Sequence, residues 1–180
     1  MPFELFETVR IPKDRIGALL GQKGKAKKKL EKKAGVAISV DSDSGIVDVE
    51  GNEKSTAFFD AVNAVKAIGR GFSPENAFLL FGGENVLEII KMPDIVKGGE
   101  KTLQTKRGRI IGRQGLAREA MEKATGTKIS VFGKTVSIIG KVEDVQIARK
   151  AVEMLLLGAR HQKAMDFLRR ETIEREEFRL

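Results

Sequence analysis

The sequence predicts an α+β protein in which one small domain occurs twice, each copy a three-stranded antiparallel sheet packed against three helices. Three observations support this prediction. The chain repeats itself at an offset of about 90 residues, both repeats show helix and strand periodicities in the same order, and both contain a Gly-x-x-Gly loop at the same point. With 180 residues, of which 41% are apolar, the chain is long enough for two small cores.

The internal repeat is clearest around the glycine loops. Ala18–Val40 aligns with Arg109–Val131 at an offset of 91 residues. The identical pairs are Gly21/Gly112, Gly24/Gly115, Ala26/Ala117, Glu31/Glu122, Lys32/Lys123, Gly35/Gly126, Ile38/Ile129, Ser39/Ser130 and Val40/Val131. Farther on, Val47 and Gly51 match Val136 and Gly140 at an offset of 89, so an intervening loop is two residues longer in the first copy. The chain therefore holds two domains of one design.

Each copy has the order strand, helix, helix, strand, strand, helix. Apolar alternation and β-branched residues predict the strands, and apolar residues at helical spacing predict the last helix. The elements predicted in the first copy are Glu4–Ile11, Lys13–Leu20, Lys25–Lys33, Val36–Val40, Ile46–Glu50 and a helix bearing Phe58, Val62, Val65 and Ile68. Those in the second copy are Val86–Ile90, Lys106–Ile111, Leu116–Ala124, Lys128–Phe132, Thr135–Ile139 and a helix bearing Val145, Ala148, Val152 and Leu155.

Two further segments complete the organisation. Between the copies, Ser73 and Pro74 have the pattern of a helix start, and a short helix to Phe81 ends at Gly82-Gly83. After Gly158 the chain predicts an amphipathic tail helix that packs on the second domain, with apolar residues Met165, Phe167, Leu168, Ile173 and Phe178. The expected ranges are 1–71 for the first domain, 72–84 for the connector, 85–158 for the second domain and 159–180 for the tail.

Composition excludes several classes of site. The chain has no cysteine, which excludes disulfides, thiolate catalysis and cysteine-based zinc sites. Its single histidine, His161, excludes a multi-histidine metal site and is predicted to be a solvated residue at a helix junction. No apolar run approaches the roughly 18 residues of a membrane span, and Met1–Lys13 lacks a signal-peptide pattern. We expect a cytoplasmic binding protein without a cofactor or metal, and not an enzyme.

The positive charge is concentrated in two segments. The net charge is +8, yet Lys13–Lys33 carries +7 and Lys97–Arg118 carries +6, which leaves −5 on the remaining residues. Such clustering on a mildly acidic body indicates a binding site for a polyanion.

The two glycine loops lie inside these basic segments. Gly21-Gln22-Lys23-Gly24 and Gly112-Arg113-Gln114-Gly115 each stand between two predicted helices. With 19 glycines, about two such matches arise by chance, but chance does not put both at one position of a repeat. Glycines allow close approach to a sugar-phosphate chain, and the following helix directs its N–H groups toward that chain. Neither loop fits a Walker P-loop or a Rossmann fingerprint.

On these residues the sequence resembles the K-homology (KH) family. The segment from Ile11-Pro12 through Ile16-Gly17-Ala18-Leu19-Leu20 to the first glycine loop is similar to the KH signature in its eukaryotic-type element order, type I. In the second copy, Leu103 stands where proline would be and Arg107 where an apolar residue is usual, which predicts a more polar first helix. The resemblance implies that each domain binds about four single-stranded nucleotides in a groove.

The resemblance also implies which residues contact RNA. In the first copy they are Lys13, Arg15, Ile16, Leu20, Gly21, Gln22, Lys23, Gly24, Lys25, Lys28 and Ile38. In the second copy they are Lys106, Arg107, Arg109, Ile110, Ile111, Gly112, Arg113, Gln114, Gly115, Arg118 and Ile129. The grooves would be lined by Ile16, Leu20, Leu30, Ile38 and Val40, and by Ile110, Ile111, Met121, Ile129 and Val131. Aliphatic grooves suit a chain without tyrosine or tryptophan, whereas an RRM or OB-fold would need stacking aromatics.

A narrower resemblance is to the archaeal relatives of the partner-of-Nob family of small-subunit ribosome assembly factors. It rests on two KH domains in about 180 residues, the Phe72-Ser73-Pro74-Glu75 connector, Arg109-Ile110-Ile111-Gly112 and Leu155-Leu156-Leu157-Gly158 with its tail. It implies binding near the 3′ end of small-subunit ribosomal RNA or its precursor. It also implies two protein partners, a Nob-type endonuclease and the alpha subunit of translation initiation factor two.

Two other functions stay open at this point. A metal-dependent nuclease would use Asp41, Asp43 and Asp48 as ligands, although the second copy has no counterpart to them. An adaptor would instead bind a protein through the tail helix and the acidic body, linking that partner to RNA.

Overall fold

The computed structural model describes the backbone of residues 4–177 and the side chains of residues 4–174. The chain divides into two compact units, Met1–Leu87 and Glu88–Leu180. Each unit has the predicted order of strands and helices around a three-stranded antiparallel sheet. The predicted α+β architecture is confirmed.

In the first unit the sheet has the order β1-β3-β2, with β2 at an edge. Its elements are β1 (Glu4–Arg10), α1 (Lys13–Leu20), α2 (Lys25–Ala34), β2 (Ala37–Asp41), β3 (Ile46–Asn52), α3 (Phe58–Gly69) and α4 (Pro74–Ala77). Helix α3 packs against α1, α2, β1 and β3. The side chains of Leu19, Leu30, Val47, Val65 and Ile68 are fully buried between these layers.

The connector belongs to the first compact unit. Ser73 begins α4, and its hydroxyl accepts the backbone N–H of Asn76 at 3.3 Å, the N-cap bond that the sequence predicts. A 3₁₀ turn over Phe78–Leu80 continues the helix, and both elements lie against α3. The backbone N–H of Gly82 donates to Asp60 of α3 at 3.4 Å, which holds the end of the connector on the same helix.

In the second unit the sheet has the order β4-β6-β5. Its elements are β4 (Val86–Lys91), α5 (Met92–Ile95), α6 (Glu100–Ile111), α7 (Leu116–Thr125), β5 (Lys128–Phe132), β6 (Thr135–Gly140), α8 (Val142–Leu156) and α9 (His161–Glu177). Helix α6 begins six residues before the predicted Lys106, because Leu103 inserts into the core and is only 3% exposed. The short helix α5 was not predicted.

The tail helix α9 is part of the second unit. It packs against α7 and α8, and Ala164 and Leu168 are fully buried in the hydrophobic core. Met165 and Phe167 lie partly buried against that core, whereas Ile173 is 56% exposed. Phe178 lies outside the described residues. The predicted packing of the tail on the second domain is therefore confirmed, and most of its described apolar face is used within this unit.

Candidate nucleic-acid interface

The two glycine loops have the same backbone conformation. Gly21 has φ 69° and ψ −179°, and Gly112 has φ 74° and ψ 178°. The third position of each loop is left-handed although it is not glycine: Lys23 has φ 51° and Gln114 has φ 52°. Among the described residues these are the two non-glycine positions with positive φ. A shared strained conformation in two separate units indicates a functional constraint on the loop.

The two glycines of each loop serve different purposes. A Cβ on Gly21 would lie 2.7 Å from the Cβ of Ala26, and one on Gly112 would lie 2.5 Å from the Cβ of Ala117. The first glycine therefore lets the loop pack closely on the next helix. Gly24 has φ 73°, but a Cβ there would meet no atom within 4 Å. Gly24 thus leaves an open surface beside the start of the helix, where a sugar-phosphate chain can approach the backbone. A Cβ on Gly115 would lie 3.7 Å from Oε1 of Glu119 and 3.9 Å from Nη2 of Arg118, so the second loop is less open there.

The loops present polar side chains to solvent. Gln22, Lys23, Arg113 and Gln114 are all exposed. Within residues 4–174, none of these four side chains makes a hydrogen bond or an ion pair. They are consequently available for a ligand at each loop.

Helix α2 extends the positive charge of the first loop. Its ten residues contain six lysines and one glutamate, a net charge of +5. Lys25, Lys28 and Lys32 are exposed and follow one another at helical spacing, so they share one face over about 10 Å. We call these three residues the lysine face. In the part of the chain that the structure describes, they have no hydrogen-bonding or ion-pair partner.

The other lysines of α2 have partners within the first unit. The Lys29 ammonium lies 4.5 Å from the centre of the Phe78 ring, and the Lys33 ammonium lies 5.3 Å from that of Phe81. These cation–π contacts hold the connector against α2. The sixth lysine of the helix, Lys27, forms an ion pair with Glu31.

Helix α7 does not repeat this charge. Two basic and two acidic residues give it no net charge. The positions equivalent to the lysine face hold Leu116, Glu119 and Lys123, and Leu116 is 60% exposed. The two loops share one geometry but stand in different electrostatic surroundings.

Four arginines among the predicted RNA contacts are engaged inside their own units: Arg15, Arg107, Arg109 and, through the carbonyl oxygen of Ile129 at 3.5 Å, Arg118. The Arg15 guanidinium donates to the carbonyl oxygens of Ile68 at 2.8 Å and Phe72 at 2.6 Å. Arg107 donates to the carbonyl oxygen of Gly133 at 2.7 Å and to the Glu100 carboxylate at 2.9 Å. The bonds to carbonyl oxygens join α1 and α6 to distant segments of the chain, and the Arg107–Glu100 bond lies within α6.

The third arginine, Arg109, is bonded to the start of the tail. Its guanidinium donates to the carbonyl oxygen of Ala159, and the Arg109 carbonyl oxygen accepts a hydrogen bond from Nε2 of His161 at 2.7 Å. His161 is exposed at a helix junction, as predicted, but its ring also fixes the end of α6 beside the second glycine loop.

Most of the predicted groove lining lies in the hydrophobic core. The six residues with 6% exposure or less are Ile16, Leu30, Ile38, Ile110, Met121 and Ile129. Four of the predicted side chains are half-buried and reach the surface: Leu20, Val40, Ile111 and Val131. The apolar surface beside each loop is thus narrower than the sequence predicts, because residues with helical and strand periodicity point into the core.

The wall beside this surface is polar, a feature that sequence reasoning missed. In the first unit, Glu31 Oε1 accepts the backbone N–H of Ile38 at 2.9 Å and contacts Lys27 Nζ at 2.6 Å. In the second unit, Glu122 Oε1 accepts the backbone N–H of Ile129 at 2.7 Å. The sequence held one sign of this contact, because equivalent positions of the two copies both hold glutamate, Glu31 and Glu122.

Two of the three aspartates considered as nuclease ligands have other partners. Asp41 accepts the Ser44 hydroxyl at 2.6 Å and the backbone N–H of Asp43 at 2.9 Å, and Asp48 accepts the Thr8 hydroxyl at 2.7 Å. The Ser44 hydroxyl, followed by the backbone N–H of Asp43, holds the pKa of Asp41 below its usual value. The bonds of Asp41 shape a turn, and the bond of Asp48 joins β3 to β1. In the described residues, no group of three or more His, Cys, Asp or Glu side chains is placed to hold a metal ion.

Family models match both units. The KH-domain model matches residues 6–58, and a model described as a eukaryotic type KH-domain (KH-domain type I) matches residues 86–173. The KH domain-containing protein MJ0443 of Methanocaldococcus jannaschii is 45% identical over 179 residues, covering 97% of this chain and 78% of that protein. The chain belongs to the KH-domain family. The predicted tandem of KH domains is confirmed.

Other relatives point to ribosomal RNA. The pre-rRNA-processing protein PNO1 of Chaetomium thermophilum is 32% identical over 107 residues. That match covers 58% of this chain and 41% of the PNO1 protein, so the chain aligns with about two fifths of that relative.

Two solved structures from Pyrococcus horikoshii OT3 are also similar. One is a chain in the crystal structure of an a/eIF2alpha–aDim2p–rRNA complex, with 42% identity, a TM-score of 0.90 and 96% coverage of both chains. The other is the crystal structure of Dim2p, with 43% identity, a TM-score of 0.87, and coverage of 92% of this chain and 99% of that one. The predicted resemblance to archaeal relatives of the partner-of-Nob (PNO1) family is confirmed.

Among the described residues, no helix is long and apolar enough to cross a membrane.

Proposed function

We propose that this protein is a non-catalytic RNA-binding protein that holds single-stranded RNA by its backbone at the two glycine loops during assembly of the small ribosomal subunit. The observation that carries the proposal is the shared geometry of the loops. Each has a second glycine with positive φ at a helix N-terminus and exposed polar side chains that have no partner among the described residues. Such a site suits a phosphate chain.

The relatives support the choice of RNA. PNO1 proteins are pre-rRNA-processing proteins, and the similar archaeal structure contains rRNA together with a/eIF2alpha. The proposed target of this chain is single-stranded small-subunit ribosomal RNA or its precursor, near the 3′ end, as the family resemblance implies. The alpha subunit of translation initiation factor two is its proposed protein partner. A Nob-type endonuclease is a further proposed partner, supported by the family resemblance.

The proposed contact set is smaller than the one read from the sequence. It consists of the loop residues Gly21–Gly24 and Gly112–Gly115, the lysine face, Lys13, and the half-buried Leu20 and Ile111. Lys106 and Arg118 stay in the set as basic residues of the second unit. Arg15, Arg107 and Arg109 instead hold each unit together through the bonds described above.

Loop charge reversal tests the proposal. Two double variants, Gln22→Asp with Lys23→Asp and Arg113→Asp with Gln114→Asp, each change the local charge by −3. The fold should survive, because aspartate tolerates the left-handed conformation of the third loop position. Filter binding to the 3′-terminal segment of small-subunit rRNA should weaken about tenfold or more for each variant.

A matched control separates a local effect from a change of net charge. Gln146→Asp with Lys150→Asp makes the same −3 change on exposed positions of α8 and should leave affinity nearly unchanged. If both loop variants bind as tightly as the wild type, the proposal is wrong. The RNA should also stay full length with Mg²⁺ present, and cleavage that Asp43→Asn abolishes would contradict a non-catalytic role.

A further inference from the structure

The helix that leads into each glycine loop is tied to the segment that follows the long helix of the same unit, α3 or α8. In the first unit, Arg15 of α1 donates to the carbonyl oxygen of Phe72, three residues after the glycine that ends α3. In the second unit, the residue three positions after Gly158 is His161, and its Nε2 bonds to the carbonyl oxygen of Arg109 in α6. Different groups join the same two segments, which indicates a constraint on the position of the helix before the loop.

In the second unit this bond acts on the last turn of α6. Gly112 turns the chain to φ 74°, and its N–H donates to the carbonyl oxygen of Gly108 at 2.9 Å. The Arg109 carbonyl oxygen accepts no backbone N–H among the described residues, because the chain leaves helical geometry before Arg113 can donate to it. His161 Nε2, 2.7 Å away, supplies the donor. The imidazole therefore caps α6 at the point where the helix becomes the glycine loop.

The start of the tail is itself held in place. The Arg109 guanidinium donates to the carbonyl oxygen of Ala159, so a second bond closes the same junction. The N–H of Ala159 donates to the carbonyl oxygen of Met154 in α8 at 2.9 Å, and Ala164 and Leu168 are fully buried in the core of the unit. The tail consequently gives the end of α6 an anchor that lies outside the loop.

The loop needs such an anchor because its backbone is strained. Gln114 has φ 52°, a left-handed conformation that a residue other than glycine keeps only where the surrounding structure enforces it. On the side of α7, the close packing of Gly112 on Ala117 restricts the loop. On the side of α6, the bonds from the tail do so. The His161 side chain is exposed, so it supplies this bond without filling the core.

We propose that His161 is a positioning residue for RNA binding at the second glycine loop. Its ring holds the end of α6, and the tail thereby sets the position of the loop N–H groups and of Arg113 and Gln114. The inference rests on the proposed function, since it assumes that RNA lies against this loop. It gives the tail helix a role in RNA binding that needs no contact between the tail and the RNA.

Substitution of His161 tests the proposal in the full-length chain whose first loop carries Gln22→Asp and Lys23→Asp, so that binding is measured at the second loop. His161→Ala removes the donor, and affinity for the single-stranded rRNA fragment should fall about three- to tenfold, the range expected for one hydrogen bond. The ¹⁵N signals of the Gly112 and Gly115 amides should move even without RNA. His161→Gln keeps a donor nitrogen at a similar reach and should restore both the affinity and the signals.

Gln162→Ala is the matched control. Gln162 is exposed beside His161, but its amide bonds to Asp166 of its own helix at 2.8 Å and not to α6. This variant should keep the affinity and the loop signals, and thermal melting should show that every variant folds. Unchanged affinity in His161→Ala, or a loss that His161→Gln does not restore, would overturn the inference while the proposed function stands. Failure of the wild type to bind the RNA would refute the proposed function and this inference with it.

Discussion

Removal of the lysine face should reduce the salt dependence of RNA binding by a defined amount. Each phosphate contact to a single strand contributes about −0.7 to the slope of log affinity against log salt concentration. Replacing Lys25, Lys28 and Lys32 by glutamine removes three such contacts, so the slope should become less negative by about 2. Between 50 and 200 mM salt, the variant should lose about 18-fold less affinity than the wild type loses.

The assay is fluorescence anisotropy of a labelled single-stranded rRNA fragment at four or more salt concentrations. A control variant with Lys54, Lys141 and Lys150 replaced by glutamine has the same net charge, and all three of these side chains are exposed and belong to neither loop and to neither α2 nor α7. Its slope should match that of the wild type. If the lysine-face variant keeps the wild-type slope, or if the control changes equally, then this face makes no phosphate contacts and the electrostatic reasoning is refuted.

Three further predictions concern the stability of the two units and the pKa of Asp41. Gly21→Ala should destabilise the first unit by about 1–3 kcal/mol in urea unfolding, because the new Cβ would contact Ala26 from a left-handed backbone. Leu168→Ala should cost about 2–5 kcal/mol in the same assay, since this tail side chain is fully buried. Ser44→Ala should raise the pKa of Asp41 toward 3.8 in an NMR titration; the lowered pKa contributes stability above about pH 3.8 that is lost as the pH falls through the folded value.

The fold was predictable because its signals are local or repeated. Helix α1 begins and ends at the predicted residues, and β5 matches its predicted range. The glycine loops were predictable because the two copies of the domain can be aligned with each other, and both have a Gly-x-x-Gly loop at the same position. The predicted start of α6 was wrong by six residues. Burial of Leu103 against distant elements decides where that helix begins.

The side-chain contacts of the site were less predictable. Periodicity shows which residues are apolar, but it does not separate the floor of a groove from the core beneath it, and Leu30 and Met121 are core residues. Arg15 and Arg109 looked like free cations, yet both bond to carbonyl oxygens more than 40 residues away along the chain. Such bonds depend on tertiary geometry, which charge counting does not contain.

The central claim is that RNA lies against the two glycine loops, and an NMR titration of the ¹⁵N-labelled protein with single-stranded rRNA tests it most directly. The account predicts that the backbone amide signals of Gly21–Gly24 and Gly112–Gly115 shift first and most. The amides on the exposed face of α8 should stay in place. Shifts confined to residues outside both loops, with the loop signals unmoved by saturating RNA, would contradict the account.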